Sequence, residues 1–564
     1  MADSPPSPTT IDQKHGAEVV YNEDLKPSQN DAHGDHVKGN AFLVREDGQV
    51  RKIPVPSSDP NDPLNLRRWE KYGVIFCCCW FSIMGLSIAG GLGAILNVFF
   101  EMYAPQGYTP DQIVFLITLP TLCIGLDHDL FALTFATIGN YIILPLGLAY
   151  GRRPVFLISM VVLLAATIAA AVQNSYNGHL ASRIVQGLAT GASESLLPLM
   201  LTEITFLHER GRIFGLYWMV QNALSSTINL ASTYLNEDMG WRWYYWVFVI
   251  TIGFGLLIAF FLGFETQFTR SPASLDGLLI FTDEFGVTNI IPDHEAQEYF
   301  ARVGREGLNI PSPDANDADV PRKTYLQKLR PWSPVQRNPV KIMLMTYLHM
   351  LQSLCSPGII YAILSSSVAL GCAVGMSLTY NTVFMQNYGW KPQNIGLINV
   401  GGALGALLAM VYCTFIGDKF VLYAARRNRG IHKPEHHLIV LIPPGIIGAA
   451  MLVLYGYTAG GGATWWGPYM AWTLFQYTFT AVLIVSTSFA SEAGAQHPGP
   501  ALVVVVGTKN IVSFGLTYGL TPMVAKHGYQ WAFGVLAGIF SAVFLLGIPV
   551  YYLNPMWRAR GKKM

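Results

Sequence analysis

Runs of about twenty apolar residues recur along this chain from near residue 72 to near residue 553, with short polar or basic stretches between them. At ~1.5 Å per residue, a helix of that length crosses the hydrocarbon core of a bilayer. Lipid offers no partner for backbone polar groups, so such runs fold as helices that satisfy their own hydrogen bonds. Composition agrees: 51% of the 564 residues are hydrophobic and only 13% are charged. Soluble chains carry about twice that charge. A net charge of +1 gives no bulk attraction to nucleic acid. Of the seven cysteines, Cys77, Cys78 and Cys79 are contiguous, and Cys123, Cys355, Cys372 and Cys413 lie in apolar runs. They match no metal-ligand or disulfide spacing and read as buried, inert thiols.

Twelve spans can be drawn: Tyr72–Phe100, a second within Gln112–Tyr150, Pro154–Val172, Gly178–Phe206, Gly211–Leu235 and Trp241–Phe264, then Pro357–Phe384, Ile395–Ile416, Leu438–Ala459, Gly467–Ser491, Pro500–Val524 and Trp531–Leu553. An interfacial segment, Lys341–Cys355, precedes the seventh. The expected fold class is an all-α membrane protein of two six-helix halves. Residues 1–70 are expected to form a disordered tail, 71–264 the first half and 265–340 a polar central loop. Residues 341–553 form the second half and 554–564 a basic tail. Within the central loop, the stretch Phe281–Gly307 is a candidate amphipathic piece.

Basic residues mark alternate loops: Arg152 and Arg153, Arg210 and Arg212, the central loop, and Lys419 through Lys433. The intervening loops hold little beyond Arg242, Lys391 and Lys526. Positive charge stays on the cytoplasmic side, so both termini and the central loop are expected there. One segment does not fit. Gln112–Tyr150 is too long for one span and too short for two, and it carries Asp127, His128 and Asp129. Without residues 126–137 it becomes one ordinary span, so that piece reads as an insertion, with an Asp/His proton relay as the alternative.

The fourth span carries two charges. Arg183, Gly187, Thr190 and Glu194 lie at i, i+4, i+7 and i+11, on one helical face. Roughly 16 Å of helix separates the arginine from the glutamate, so each needs a partner on another span. A carboxylate at mid-membrane depth is costly unless it faces a bundle interior. Burial also raises its affinity for a proton, which makes Glu194 the candidate coupling group. The alternative is a structural ion pair. Lys509 and Asn510 put a second polar pair in the eleventh span. Asn97, Gln221, Asn222, Asn229, Tyr380, Asn381, Gln476 and Tyr477, together with Lys509 and Asn510, are candidate cavity residues, with interhelical hydrogen bonding as the competing role.

Five phrases resemble the major facilitator superfamily, and within it the fungal drug:proton antiporter-like group of polyamine/histidinol permease-like proteins and secondary-metabolite exporters. They are DPNDPLN at Asp59–Asn65, GRRPVFL at Gly151–Leu157, SRIVQGLATG at Ser182–Gly191, FLHERGR at Phe206–Arg212 and RNRGIHKPEHHL at Arg427–Leu438. The resemblance implies a role near proton transfer for Arg183, and a conformational loop role for Gly151, Arg152 and Arg153, echoed by Asp418. Two departures stand out. Leu148 and Ala149 replace the loop motif's Asp-Arg, and Asn222–Ser232 lacks the Gly and Pro common in exporters.

The chain contains no phosphate-binding G-x-x-x-x-G-K-[ST] loop and no visible catalytic constellation, so a non-enzymatic protein driven by a proton gradient, without cofactor or metal, is expected. The expected function is proton-linked efflux of a small organic compound across the plasma membrane, with the vacuolar membrane as the other location. The expected partners are that compound and the lipid bilayer, not nucleic acid, and the chain is expected to be monomeric. Uptake of a cationic or amine nutrient is the runner-up, and a non-transporting receptor is the third reading.

Overall fold

The computed structural model describes residues 41–42, 56–57, 59–92, 96–109, 112–113, 116, 135–206, 209–268, 273–275, 278–282, 288–292, 321–333, 338–428, 431–461, 464–493 and 498–560. Among these, nine helices are long and apolar enough to cross a membrane. The remaining expected spans contain helices that fall outside the nine: one is 16 residues long and the other two carry polar side chains along their length.

The first helix, α1 (Arg68–Gly90), ends ten residues before the expected span does, and α2 (Leu96–Tyr103) follows separately. Glycines at 90, 91 and 93 weaken the helix here. Gly91 also allows a close approach: a Cβ there would meet Tyr244 Oη at 2.6 Å and Asn229 Oδ1 at 2.7 Å. Four long helices then follow α3 (Phe135–Tyr150): α4 (Arg152–Val172), α5 (Tyr176–Glu203), α6 (Arg210–Met239) and α7 (Trp241–Leu262). Gly151 turns the chain between α3 and α4 with φ +106°, a conformation costly for any residue with a Cβ. The suspected insertion lies outside the described residues up to residue 134, and Phe135–Thr137 opens α3.

Asp62 caps the turn at Pro63–Asn65, its Oδ1 accepting from the Leu64 amide at 2.9 Å and its Oδ2 from the Ser57 amide at 3.0 Å. The turn is therefore tied to the residues on either side of it. Nearer the start, β1 (Ala41–Phe42) pairs with β5 (Ile431–His432). The central loop contains an antiparallel sheet of β2 (Ala273–Leu275), β3 (Leu278–Thr282) and β4 (Thr288–Pro292). Within the expected amphipathic piece, β4 is a strand, in keeping with its β-branched Thr-x-Ile-Ile run.

The basic run after the sheet forms α8 (Tyr325–Lys328), which Lys328 and Arg322 hold to Glu70 at 2.7 and 3.6 Å. The expected interfacial segment is α9 (Pro339–Leu354). It buries Ile342, Thr346, His349 and Met350, at i, i+4, i+7 and i+8, against α3 and a helix of the second group. Cys355, just beyond it, is exposed rather than buried.

The second group comprises α10 (Pro357–Thr382), α11 (Ile398–Val411), α12 (Asp418–Arg427), α13 (His436–Val440), α14 (Ile442–Ala459), α15 (Trp466–Ala493), α16 (Pro498–Leu545) and α17 (Gly547–Arg560). Gly528, with φ +79°, breaks α16 into two stretches. Packing within each group is extensive: α1 against α5, α6 and α7, and α10 against α15 and α16. The groups meet along two seams, α6 against α11 and α15, and α3 and α5 against α16.

Candidate functional site

At the α5–α16 seam, Glu194 is buried in a ring of polar groups. Lys509 Nζ lies 2.9 Å from its Oε1, and Asn510 Nδ2 donates to its Oε2 at 2.7 Å. Asn140 of α3 adds a longer bond to Oε2 at 3.4 Å. The lysine is 2% exposed and the glutamate 8%. The Trp218 ring of α6 lies 5.3 Å from the Lys509 ammonium, and its Nε1 donates to Thr487 Oγ1 at 3.1 Å. Tyr141 and Thr508 pair across the same seam at 2.8 Å. Three helices of the two groups thus meet at one carboxylate, and a fourth, α6, covers the lysine. A buried pair of this kind is costly to leave half-made, because the surviving charge stays in a low-dielectric site.

Arg183 sits apart from this centre and is fully buried, so it does not reach for headgroups. Its guanidinium donates to the carbonyls of Ile88, Ala89 and Leu116 at 2.7, 2.7 and 2.9 Å and to Gln186 Oε1 at 2.9 Å. Ile88 and Ala89 lie in the last turn of α1, where carbonyls lose their intrahelical donors. Arg183 therefore caps the broken first span. Its described bonds end on carbonyl and amide oxygens. Tyr244 Oη donates to Ser87 and Ile88 at the same break. One turn earlier, buried His179 bonds Tyr103 and Tyr245 at 3.2 and 2.7 Å.

Of the candidate cavity residues, Lys509 and Asn510 meet at Glu194, and the others have separate contacts. Gln221 accepts from Ser82 at 2.8 Å, tying α6 to α1, and Asn222 bonds its own helix at Trp218 O, at 2.9 Å. Asn229 lies against Gly91. Tyr380 packs on Trp472 with centroids 5.4 Å apart, and Tyr477 on Tyr412 at 5.8 Å. Gln476 lies against Gly405, Asn381 is half-buried at the end of α10, and Asn97 belongs to α2.

The basic end of the bundle carries two clamps. In the first group, Arg152 pairs with Glu203 at 2.7 Å, and Thr266 Oγ1 donates to the other Glu203 oxygen at 2.6 Å. The amides of Arg152 and Arg153, at the start of α4, donate to Glu265 at 3.1 and 3.3 Å. Helix N-termini favour such anions. Arg153 also donates to Lys328 O and Phe260 O, and Ser333 Oγ to Glu265. Glu203 and Glu265 thus supply carboxylates to the arginines where Leu148 offers none.

In the second group, His437 faces Glu492 at 3.2 Å, while Arg558 and Asn554 hold Glu435 at 2.6 Å each. The geometry repeats in part: a basic residue near a helix start, Arg152 or His437, faces a glutamate at the end of a following span, Glu203 or Glu492, whereas the group's last helix contributes Glu265 in the first group and Arg558 in the second. Between the groups, Asp418 lies 3.7 Å from Arg212 and directly over Gly211, where a Cβ would meet its Oδ1 at 2.6 Å. Arg212 is largely exposed, which leaves this contact weak. Toward this end, Gly191–Thr202, Tyr477–Glu492 and Ala501–Val506 are wholly buried, whereas Ile511, Gly515 and Tyr518 of α16 are exposed. The two groups are closed together at the basic end.

Sequence reasoning missed Trp218 and Asn140. Trp218 stood in an aromatic-rich run with no charge beside it, and Asn140 was hidden in the overlong second segment.

Two packed helix groups meeting at a central polar pair define the fold of a facilitator-type membrane transporter. The profile of the Major Facilitator Superfamily matches residues 75–507, and the chain belongs to that family. An uncharacterized MFS-type transporter of Schizosaccharomyces pombe is 24% identical over 89% of this chain and 87% of its own length. Efflux pump radE of Floropilus chiversii is 22% identical over 89% and 84%, and protein HOL1 of Saccharomyces cerevisiae is 22% identical over 92% of each chain. The human organic anion transporter MFSD10 shares the fold at a TM-score of 0.53 and 13% identity, over 85% of this chain and 99% of its own. The proton:xylose symporter XylE does so at 0.53 and 13%, over 84% and 94%.

Proposed function

We propose that this protein exports a small, fairly hydrophobic organic compound in exchange for protons, by alternating access between two six-helix halves. The observation that carries the reading is the Glu194–Lys509 pair, which joins the two groups at a buried seam. While Glu194 is ionised, the pair holds the seam closed. A proton on Glu194 cancels the attraction and leaves Lys509 uncompensated, which favours separation. Losing one partner of a buried pair costs about 3–5 kcal/mol. That is comparable with the ~5.5 kcal/mol that moves a two-state equilibrium from 1:99 to 99:1. The proton gradient then supplies the energy.

The segregation of Arg and Lys supports a cytoplasmic basic end, with both termini on that side of the plasma membrane. Twelve spans and a monomeric working unit complete the reading. Similarity to an efflux pump supports the export direction.

The test is flux in sealed vesicles carrying an imposed pH gradient. Export predicts that deleting the protein raises intracellular compound, and that a protonophore mimics the deletion. Glu194→Gln removes pH-driven flux while the protein stays in the membrane. Full pH-driven transport by that variant overturns the assignment.

A further inference from the structure

We infer that α12 and the turn leading into it form a binding surface for anionic phospholipid headgroups in the leaflet at the basic end. The helix of α11 continues through a π-helical turn, Tyr412–Gly417, into α12, so one rod runs from the apolar bundle into the basic loop. Val421 and Ala425 bury one face of α12 against the protein. The opposite face is open and ordered along the axis. Val411, Phe415 and Ile416 are exposed first, at 53, 60 and 58%. Lys419, Phe420 and Tyr423 follow, then Arg426 and Arg427, all exposed.

Successive members of this stripe are mostly three or four residues apart, which keeps them on one side of a helix. The order matches the profile of a membrane surface: acyl chains, then the zone where aromatic rings settle, then headgroup charge. Among the described residues no ion pair holds Lys419, Arg426 or Arg427, whereas Arg558 is committed to Glu435. Three cations above an aromatic step, continuous with a bilayer-facing span, match the charge of a phosphate ester carrying net negative charge. A zwitterionic headgroup lacks that net attraction. The first residue of α12 is Asp418, which contacts Gly211 across the seam, so a lipid held here acts on the element that touches the other group.

The test is the thermal stability of the purified full chain in detergent micelles doped with phosphatidylserine or with phosphatidylcholine, together with lipid adducts counted by native mass spectrometry. Phosphatidylserine is expected to raise Tm and to give adducts where phosphatidylcholine does not. The Lys419→Gln/Arg426→Gln/Arg427→Gln variant should bind phosphatidylserine on the order of a hundredfold more weakly. Lys391→Gln, at the opposite end, should bind as the unaltered chain does. Equal shifts with both lipids, or an unchanged phosphatidylserine shift in the triple variant, overturn the inference. An equal loss in Lys391→Gln also overturns it, because attraction would then be general. None of these readouts needs the transported compound.

Discussion

Glu194 and Lys509 show how two charges in a bilayer become tolerable: each removes the other's need for water, and Asn510 satisfies a further carboxylate oxygen. Lys509→Gln should lower Tm markedly, on the scale of about 3–5 kcal/mol for a half-broken buried pair. The double variant Glu194→Gln/Lys509→Gln should recover much of that loss, and a double-mutant cycle on Tm checks it. Additive losses would mean that the two groups do not depend on each other. Arg183 makes a different prediction. Its fork reaches three carbonyls at once, which an ammonium cannot copy. Arg183→Lys should therefore destabilise the chain nearly as much as Arg183→Met, while any folded protein that remains should keep the pH-driven flux proposed to depend on Glu194. Loss of that flux without loss of stability would return Arg183 to the coupling machinery.

Among the elements, close helix contacts depend on particular glycines. A Cβ at Gly139 would meet the Leu188 carbonyl oxygen at 2.7 Å, and one at Gly191 the Asn140 amide nitrogen at 2.9 Å. Backbone cannot move aside as a side-chain tip can, so Gly139→Ala and Gly191→Ala should push α3 from α5 and reduce folded yield. Gly515, with nothing within 4 Å, should accept alanine with little change. Monodisperse yield after detergent extraction compares the three. The helical face from Arg183 to Glu194 was readable from spacing, because a 3.6-residue period is local. The break after Gly90 was only hinted at by its glycines. What holds it, Arg183 and Tyr244, comes from residues more than ninety positions away.

For the whole molecule, the two basic-end clamps are expected to decide which side opens. Arg152→Ala and Arg558→Ala each leave a buried glutamate without its cation, Glu203 and Glu435. Both variants should shift the population toward opening at that end. Ser488 is 2% exposed on α15. In a Cys355→Ser background, Ser488→Cys should react with a membrane-permeant maleimide several-fold faster in either variant. Unchanged labelling in both would show that the clamps do not control the opening.

The sequence alone determined the class of fold and the placing of its apolar runs, because span length is a local property that the bilayer reads directly. It also singled out Glu194 and Lys509, since charges in apolar runs are conspicuous wherever they end up. Only the tertiary structure decided that these two meet, that Arg183 caps a helix instead of facing an acid, and that Gln221 ties α6 to α1. Which side chains face one another across a seam depends on helix rotation and depth. Those are set by the packing of many apolar side chains at once, and no single stretch of sequence carries that information.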